Sequence, residues 1–221
     1  MTEKSDTGRD PVNPPREELL AQRLAAKPGP AGPARASVVA AMSALSRIDR
    51  ACYGAVARLP PSQLDVPLRR LAKFADFSKP WFIVATLLAL FGGSRGRRAA
   101  MTGIAAIGVT SFAVNQPMKL VSARTRPDRD RAGVPQERWV RMPESTSFPS
   151  GHSASAAAFA TAVGDVIPAA GIPLRVAAAL VAFTRVYTGV HYPSDVVVGA
   201  TAGALFGRLT SLAARRIGRT S

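Results

Sequence analysis

From Ala99 to Met118 the chain reads AAMTGIAAIGVTSFAVNQPM, twenty consecutive positions without a charge. A hydrocarbon layer of about 30 Å takes roughly twenty helical residues to cross, so this run is predicted to be a transmembrane helix. The rest of the chain is strongly basic, with 29 Lys and Arg against 14 Asp and Glu and a net charge of +15. That charge crowds into the N-terminal third, Ser94–Arg98, Lys119–Arg141 and the C-terminus, and leaves nearly uncharged stretches between. Hydrophobic helices joined by basic loops produce this alternation. Nucleic acid, an anionic membrane surface and a phosphate-bearing substrate would all suit such a charge. A nucleic-acid module is the poorest match, because aromatic residues are only 6% and the charge does not track one amphipathic face.

At 221 residues the chain suits one domain, a helical core with flanking segments. Residues 1–35 are charged and Pro-rich and have no apolar centre, so they read as a disordered tail rather than a signal peptide. Residues 36–78 carry apolar positions at helical spacing, broken at Pro60-Pro61. Arg47, Asp49, Arg50 and Arg58 make Ala36–Leu59 an amphipathic helix at an interface, or a first span, and Leu64–Phe77 repeats the pattern. A core is expected over 79–214. In it Trp81–Gly93 is apolar but short, Ser94–Arg98 is a sharp basic loop, and Lys119–Pro149, with four prolines, reads as a long loop or re-entrant segment, of the kind that is functional or disordered. Ser153–Ile172 and Leu174–Thr184 read as an Ala-rich hairpin turning at Gly171-Ile172-Pro173. Val196–Leu212 is a final helix, and 215–221 a basic tail. Small residues dominate these helices, as they do where transmembrane helices pack closely. Cys52 stands alone and forms no internal disulfide.

Three clusters carry chemistry. In Phe148-Pro149-Ser150-Gly151-His152-Ser153 the loop ends and an Ala/Ser run begins, which places Ser150, Gly151 and His152 at a helix start. Unpaired N–H groups there make an anion site. In the second, Thr184 to Asp195, Arg185 offers a forked donor for phosphate oxygens, and Asp195 lies four residues from His191. A carboxylate beside an imidazole fixes its tautomer and stabilises the cation formed on attack. Pro193 makes the turn between them irregular. In the third, Lys119 and Arg126 stand where the uncharged run ends. A lone histidine is most often structural, and basic residues at helix ends often face lipid headgroups. Together, two histidines, an aspartate, cations and a helix N-terminus supply what phosphoryl transfer needs, since its transition state spreads negative charge over fixed donors.

These clusters resemble the three motifs of the type 2 phosphatidic acid phosphatase superfamily, which shares its fold and site with vanadium-dependent haloperoxidases. K-x6-RP is matched by Lys119, Arg126 and Pro127. PSGH is matched by Pro149–His152, and SR-x5-H-x3-D by Arg185, His191 and Asp195, with Thr184 in place of the serine. The resemblance spans about Trp81 to Leu212. It implies an all-α, multi-pass transmembrane bundle, typically of six spans, of which about five are plausible here. It also implies a membrane lipid phosphatase acting on a polyprenyl (di)phosphate, phosphatidic acid or a similar lipid. In that reading His191 is the nucleophile, Asp195 orients it, and His152 is the acid and base. Lys119, Arg126, Ser150, Gly151 and Arg185 hold the phosphate. Neither metal nor cofactor is expected. The expected location is the cell membrane, with the site on the extracytoplasmic face. The alternatives are a haloperoxidase-like enzyme, for which the chain is short, and a non-catalytic membrane scaffold.

Overall fold

The computed structural model describes residues 33–114, 118, 122 and 124–220, and these are helical with connecting loops. The expectation for residues 1–35 therefore lies outside them but for its last three residues. The helices are α1 (Pro33–Ala57), α2 (Asp65–Phe74), α3 (Lys79–Phe91), α4 (Gly93–Ala113), α5 (Gly151–Val166), α6 (Pro168–Tyr187) and α7 (Pro193–Thr220). Short 3₁₀ turns occupy Asp76–Ser78 and Gln136–Arg138. Four of the helices, α1, α3, α6 and α7, open on a proline at the first or second position, where the missing N–H costs nothing and φ is already set.

α5 is the central helix, and its Ala/Ser sequence is what lets it be central. Along α7, Gly199, Gly203 and Gly207 fall four residues apart and lie against the α5 backbone. A Cβ at Gly203 would stand 2.0 Å from the Ala154 carbonyl oxygen, and one at Gly199 2.5 Å from that of Ser150. Only glycine permits this approach, which brings the start of α5 against the start of α7. On another side Gly103 of α4 makes room for Phe159 and Val163, and Trp81 of α3 packs on Phe159 at 5.6 Å between centroids. Large apolar side chains instead face outward, among them Phe91, Met101, Phe112 and Ile172, each more than 70% exposed. Small residues inside and large apolar residues outside are what a bundle surrounded by lipid acquires.

The membrane-spanning elements differ from the sequence expectation. α6 and α7 are each long and apolar enough to cross a membrane, and Asp65–Phe74 with Asp76–Phe91 form a third candidate bent by 66°. The uncharged run Ala99–Met118 is not a helix of its own. α4 starts back at Gly93, takes Arg95, Arg97 and Arg98 into its first turns, and ends at Ala113. Ser94–Arg98 is thus the head of α4 rather than a loop, and the break from α3 sits at Gly92-Gly93, where Gly93 has φ +59°. The hairpin between α5 and α6 turns at Ile167-Pro168, not at Gly171–Pro173. Pro168 starts the helix, and Pro173 is accommodated inside α6. α7 runs on beyond Leu212, so the C-terminal arginines ride on helix.

Candidate active site

Two loop corners and two helix starts meet at one end of the bundle. Gly151 and His152 open α5, and Ser150 caps it. The Ser150 hydroxyl oxygen accepts the Ser153 amide at 3.5 Å and the Ser153 hydroxyl at 2.9 Å, while its own N–H donates to the Asp195 carbonyl at 2.9 Å. That last bond ties the start of α5 to the first turn of α7. Between α6 and α7 the chain turns through Gly189 (φ +74°), a conformation glycine takes freely. The amides of Val190 and His191 both return to the Arg185 carbonyl at 3.1 Å, which fixes His191 just before α7.

These corners surround a cavity of about 240 Å³ whose lining includes Arg126, Gly151, His152 and His191, with Ser111, Ser145 and Ser155 supplying hydroxyls and Phe77 and Ser78 forming part of the wall. Four of the site residues expected from sequence therefore share one cavity. Asp195 lies behind His191, fully buried. Arg185 is also buried; its Nη1 reaches the Ala72 carbonyl at 3.4 Å, and its Nε finds no partner among the described residues. The structure sets Ser150 behind the wall as a helix cap, and Lys119 lies outside the described residues. The Thr184 hydroxyl bonds back to the Val181 carbonyl at 2.6 Å, so it serves its own helix.

The geometry assigns the proton on His191. Arg126 Nη1 stands 3.2 Å from His191 Nε2. A guanidinium has only donors, so Nε2 accepts and the proton sits on Nδ1. Nδ1 faces Asp195 Oδ2 at 3.6 Å, longer than a hydrogen bond but close enough for the carboxylate charge to act on the ring. Burial pushes His191 down to about 4; Asp195 pulls it up, and Arg126 and Arg185 press it further down. At neutral pH the ring is uncharged, with its Nε2 lone pair turned to Arg126 on the cavity wall. Arg126 is held by the Ser145 carbonyl at 2.9 Å, the Val190 carbonyl at 2.8 Å and the Thr146 carbonyl at 3.2 Å, which keeps a cation fixed at the cavity wall.

Several residues at the site were not singled out from sequence. Asp76 Oδ1 lies 3.0 Å from His152 Nε2, placed there by the corner in which Phe77 and Ser78 take left-handed φ values of 57° and 59°. Such backbone strain gathers where a fold holds functional groups. Asp195 is gripped by Arg124 Nη1 at 2.7 Å, by the Ser147 hydroxyl and by the Tyr192 amide at 2.9 Å. Arg124 in turn meets Asp49 of α1 at 2.5 Å.

Comparison with known proteins places this arrangement. The model of the PAP2 superfamily matches residues 99–219. The decaprenylphosphoryl-5-phosphoribose phosphatase of Mycobacterium tuberculosis H37Rv is 36% identical over 64% of this chain and 75% of its own length. The lipid A 1-phosphatase of Rhizobium johnstonii is 29% identical over 71% of this chain and 72% of its own. Among solved structures, the transmembrane PAP2 type phosphatidylglycerolphosphate phosphatase from Bacillus subtilis superposes with a TM-score of 0.62 at 22% identity, covering 91% of this chain and 96% of that one. Aquifex aeolicus LpxE superposes with a TM-score of 0.53 at 21% identity, covering 74% and 94%. Since the family's pattern takes in more than half of the chain, and Arg126, Gly151, His152 and His191 line one cavity, the chain belongs to the PAP2 superfamily and is a membrane phosphatase.

Proposed function

We propose that the chain hydrolyses a phosphomonoester or diphosphate carried by a lipid, through a phosphohistidine on His191 and without a metal. The observation that carries this reading is the shared cavity: both imidazoles and Arg126 face it, and the N-terminus of α5 closes it. His191 Nε2 attacks phosphorus, and the bond to the leaving oxygen breaks as His152 protonates that oxygen. His152 then takes a proton from water, which attacks the phosphohistidine; the P–N bond breaks and inorganic phosphate leaves. Arg126 must release Nε2 for attack, and it moves onto a phosphate oxygen, where its charge meets the charge that develops. Arg185, with an unused buried donor, and Lys119 complete the oxygen contacts, and the Gly151 amide at the helix start adds to them.

The relatives support a lipid bearing its phosphate on a large headgroup or polyprenyl chain. One acts on a decaprenylphosphoryl phosphoribose and another on lipid A. The wall formed by Ser111, Ser145 and Ser155 offers hydroxyls to a polar leaving group of that kind. The membrane is the cell membrane in this reading, with the site extracytoplasmic. Arg95, Arg97, Arg98, Arg215 and Arg216 are exposed at the opposite end; at the site end Arg131 and Arg141 are exposed, whereas Arg124, Arg126, Arg138 and Arg185 are engaged with carboxylates and carbonyls and do not count toward the loop charge.

Phosphate release by the detergent-purified chain from polyprenyl, sugar-linked and glycerol phospholipids tests the reaction, with His191→Ala as the blank. Turnover is expected to persist in EDTA and to fall with orthovanadate. An absolute Mg²⁺ requirement, or turnover surviving His191→Ala, overturns the mechanism.

A further inference from the structure

We propose that Asp49, on α1, is a positioning residue for this reaction: acting through Arg124 and Ser194, it sets the carboxylate of Asp195 that faces His191, and so makes α1 part of the catalytic unit. The inference rests on the phosphohistidine reading above. α1 lies outside residues 99–219, so the family pattern does not include it.

Asp49 is an acid midway along a helix and only 7% exposed, a position that is costly unless the charge is used. It is used fully. Oδ1 accepts the Ser194 amide at 2.8 Å, and Oδ2 accepts the Ser194 hydroxyl at 2.7 Å and Arg124 Nη2 at 2.5 Å. Ser194 lies in the first turn of α7, so a carboxylate from α1 sits at the positive end of α7 and satisfies one of its free amides. Arg124 turns its other nitrogen, Nη1, to Asp195 Oδ1 at 2.7 Å and to the Ser194 hydroxyl at 2.6 Å. Its guanidinium lies over the Tyr192 ring at 4.3 Å, and Tyr192 meets Tyr53 of α1 edge-on at 5.4 Å. One cation is therefore shared between two carboxylates, and the trio keeps a net negative charge toward His191. The other charged groups around His191 are Arg126 from the loop and Arg185 from α6. Without Asp49, Arg124 would neutralise Asp195 alone, and the imidazolium that forms on attack would face no net counter-charge.

An anchor that merely glues α1 to the bundle would predict lost stability; a positioning residue predicts a change felt at His191. Asp49→Asn and Asp49→Glu are compared with wild type in the full chain, with Arg50→Gln as control, since Arg50 is exposed and its Nη1 bonds Ser46 on the same helix. Asp49→Asn is expected to lower kcat about tenfold, the size of one charge interaction across a largely buried site, with KM within about twofold. Asp49→Glu is expected to recover part of the loss, and Arg50→Gln to match wild type. The chain has two histidines, so ¹⁵N-histidine NMR gives separate signals for each. Asp49→Asn is expected to move both ring-nitrogen signals of His191 while those of His152 stay in place. Unchanged His191 signals overturn the proposal, whether kcat is kept or falls together with thermal stability. A wild-type chain without turnover overturns the hydrolytic reading instead, and the His191 signals still decide whether Asp49 acts on that ring.

Discussion

Replacing Asp76 by asparagine tests whether His152 delivers a proton to the leaving group. Asp76 Oδ1 lies 3.0 Å from His152 Nε2, with the side chains 24% exposed for the histidine and 43% for the aspartate. A unit-charge pair at about 4 Å is worth roughly 1 kcal/mol in water and roughly 4 kcal/mol at an effective dielectric of 20. The partial exposure of both groups puts this pair near the lower end, at about 1–2 kcal/mol. Converted at 1.4 kcal/mol per decade, Asp76→Asn is expected to slow the phosphorylation step about five- to thirtyfold when the leaving group is an alkyl alcohol, which departs only if protonated. A p-nitrophenyl leaving group departs as a stable anion and needs little help, so its loss is expected to stay within about twofold. Single-turnover quench experiments on an alkyl lipid phosphate and its p-nitrophenyl counterpart read this step alone. Equal losses on the two substrates, or no loss on the alkyl one, would refute the assignment of His152 as the acid supported by Asp76.

Two further outcomes follow from the same geometry. Because His191 is held near 4 when folded and titrates near 6.5 when unfolded, the unfolded chain binds the extra proton between these values. Folding stability is therefore expected to fall, by on the order of 3 kcal/mol, as pH drops from about 6.5 to 4; in thermal melts wild type should lose about that much more stability across the window than His191→Asn, whose side chain does not titrate. At the α5–α7 seam, Gly203→Ala sets a methyl against the Ala154 carbonyl and is expected to cost about 1–3 kcal/mol and to reduce turnover by parting the two helix starts. Gly108→Ala, which meets nothing within 4 Å, should be neutral or slightly stabilising, and equal melting temperatures for the two variants would contradict the packing argument.

How much of this was legible in the sequence divides along physical lines. Residues that would touch the anion are restricted in type and spacing: a forked cation, an imidazole, a glycine at a helix start. Arg126, Gly151, His152 and His191 could be read from the chain for that reason, and they share the cavity. The helix limits were harder, because composition alone does not show where a basic stretch joins a helix. Arg95, Arg97 and Arg98 ride on α4 since arginines in a first turn can reach out from the bundle, and Arg95 turns back to cap the Val166 carbonyl at 3.0 Å. Pro168 and Pro173 look alike in sequence; only the approach of Gly164 to Gly171, with a Cβ at Gly164 2.9 Å from the Gly171 Cα, shows that the turn precedes both glycine and second proline on α6.

The supporting carboxylates were illegible for a different reason. An acid that orients another residue needs only to arrive at the right place, and it can arrive from any element the fold brings near. Asp76 comes from a strained corner and Asp49 from an amphipathic helix, neither within the residues that match the family. Arg138 lies within the matched residues but in none of the three motifs; its fully buried guanidinium joins Asp65 at 3.0 Å to the carbonyls of Leu59 and Pro60 at 2.9 Å and lies 4.3 Å from the Tyr187 ring, fastening the long loop to α2 and α6. Each of these three residues fixes a segment bearing a motif to a segment bearing none. The motif-bearing core thus supplies the groups that face the cavity, while the N-terminal helices supply the charges that hold those groups in register, so a core cut free of α1 and α2 would keep its motifs and lose their alignment.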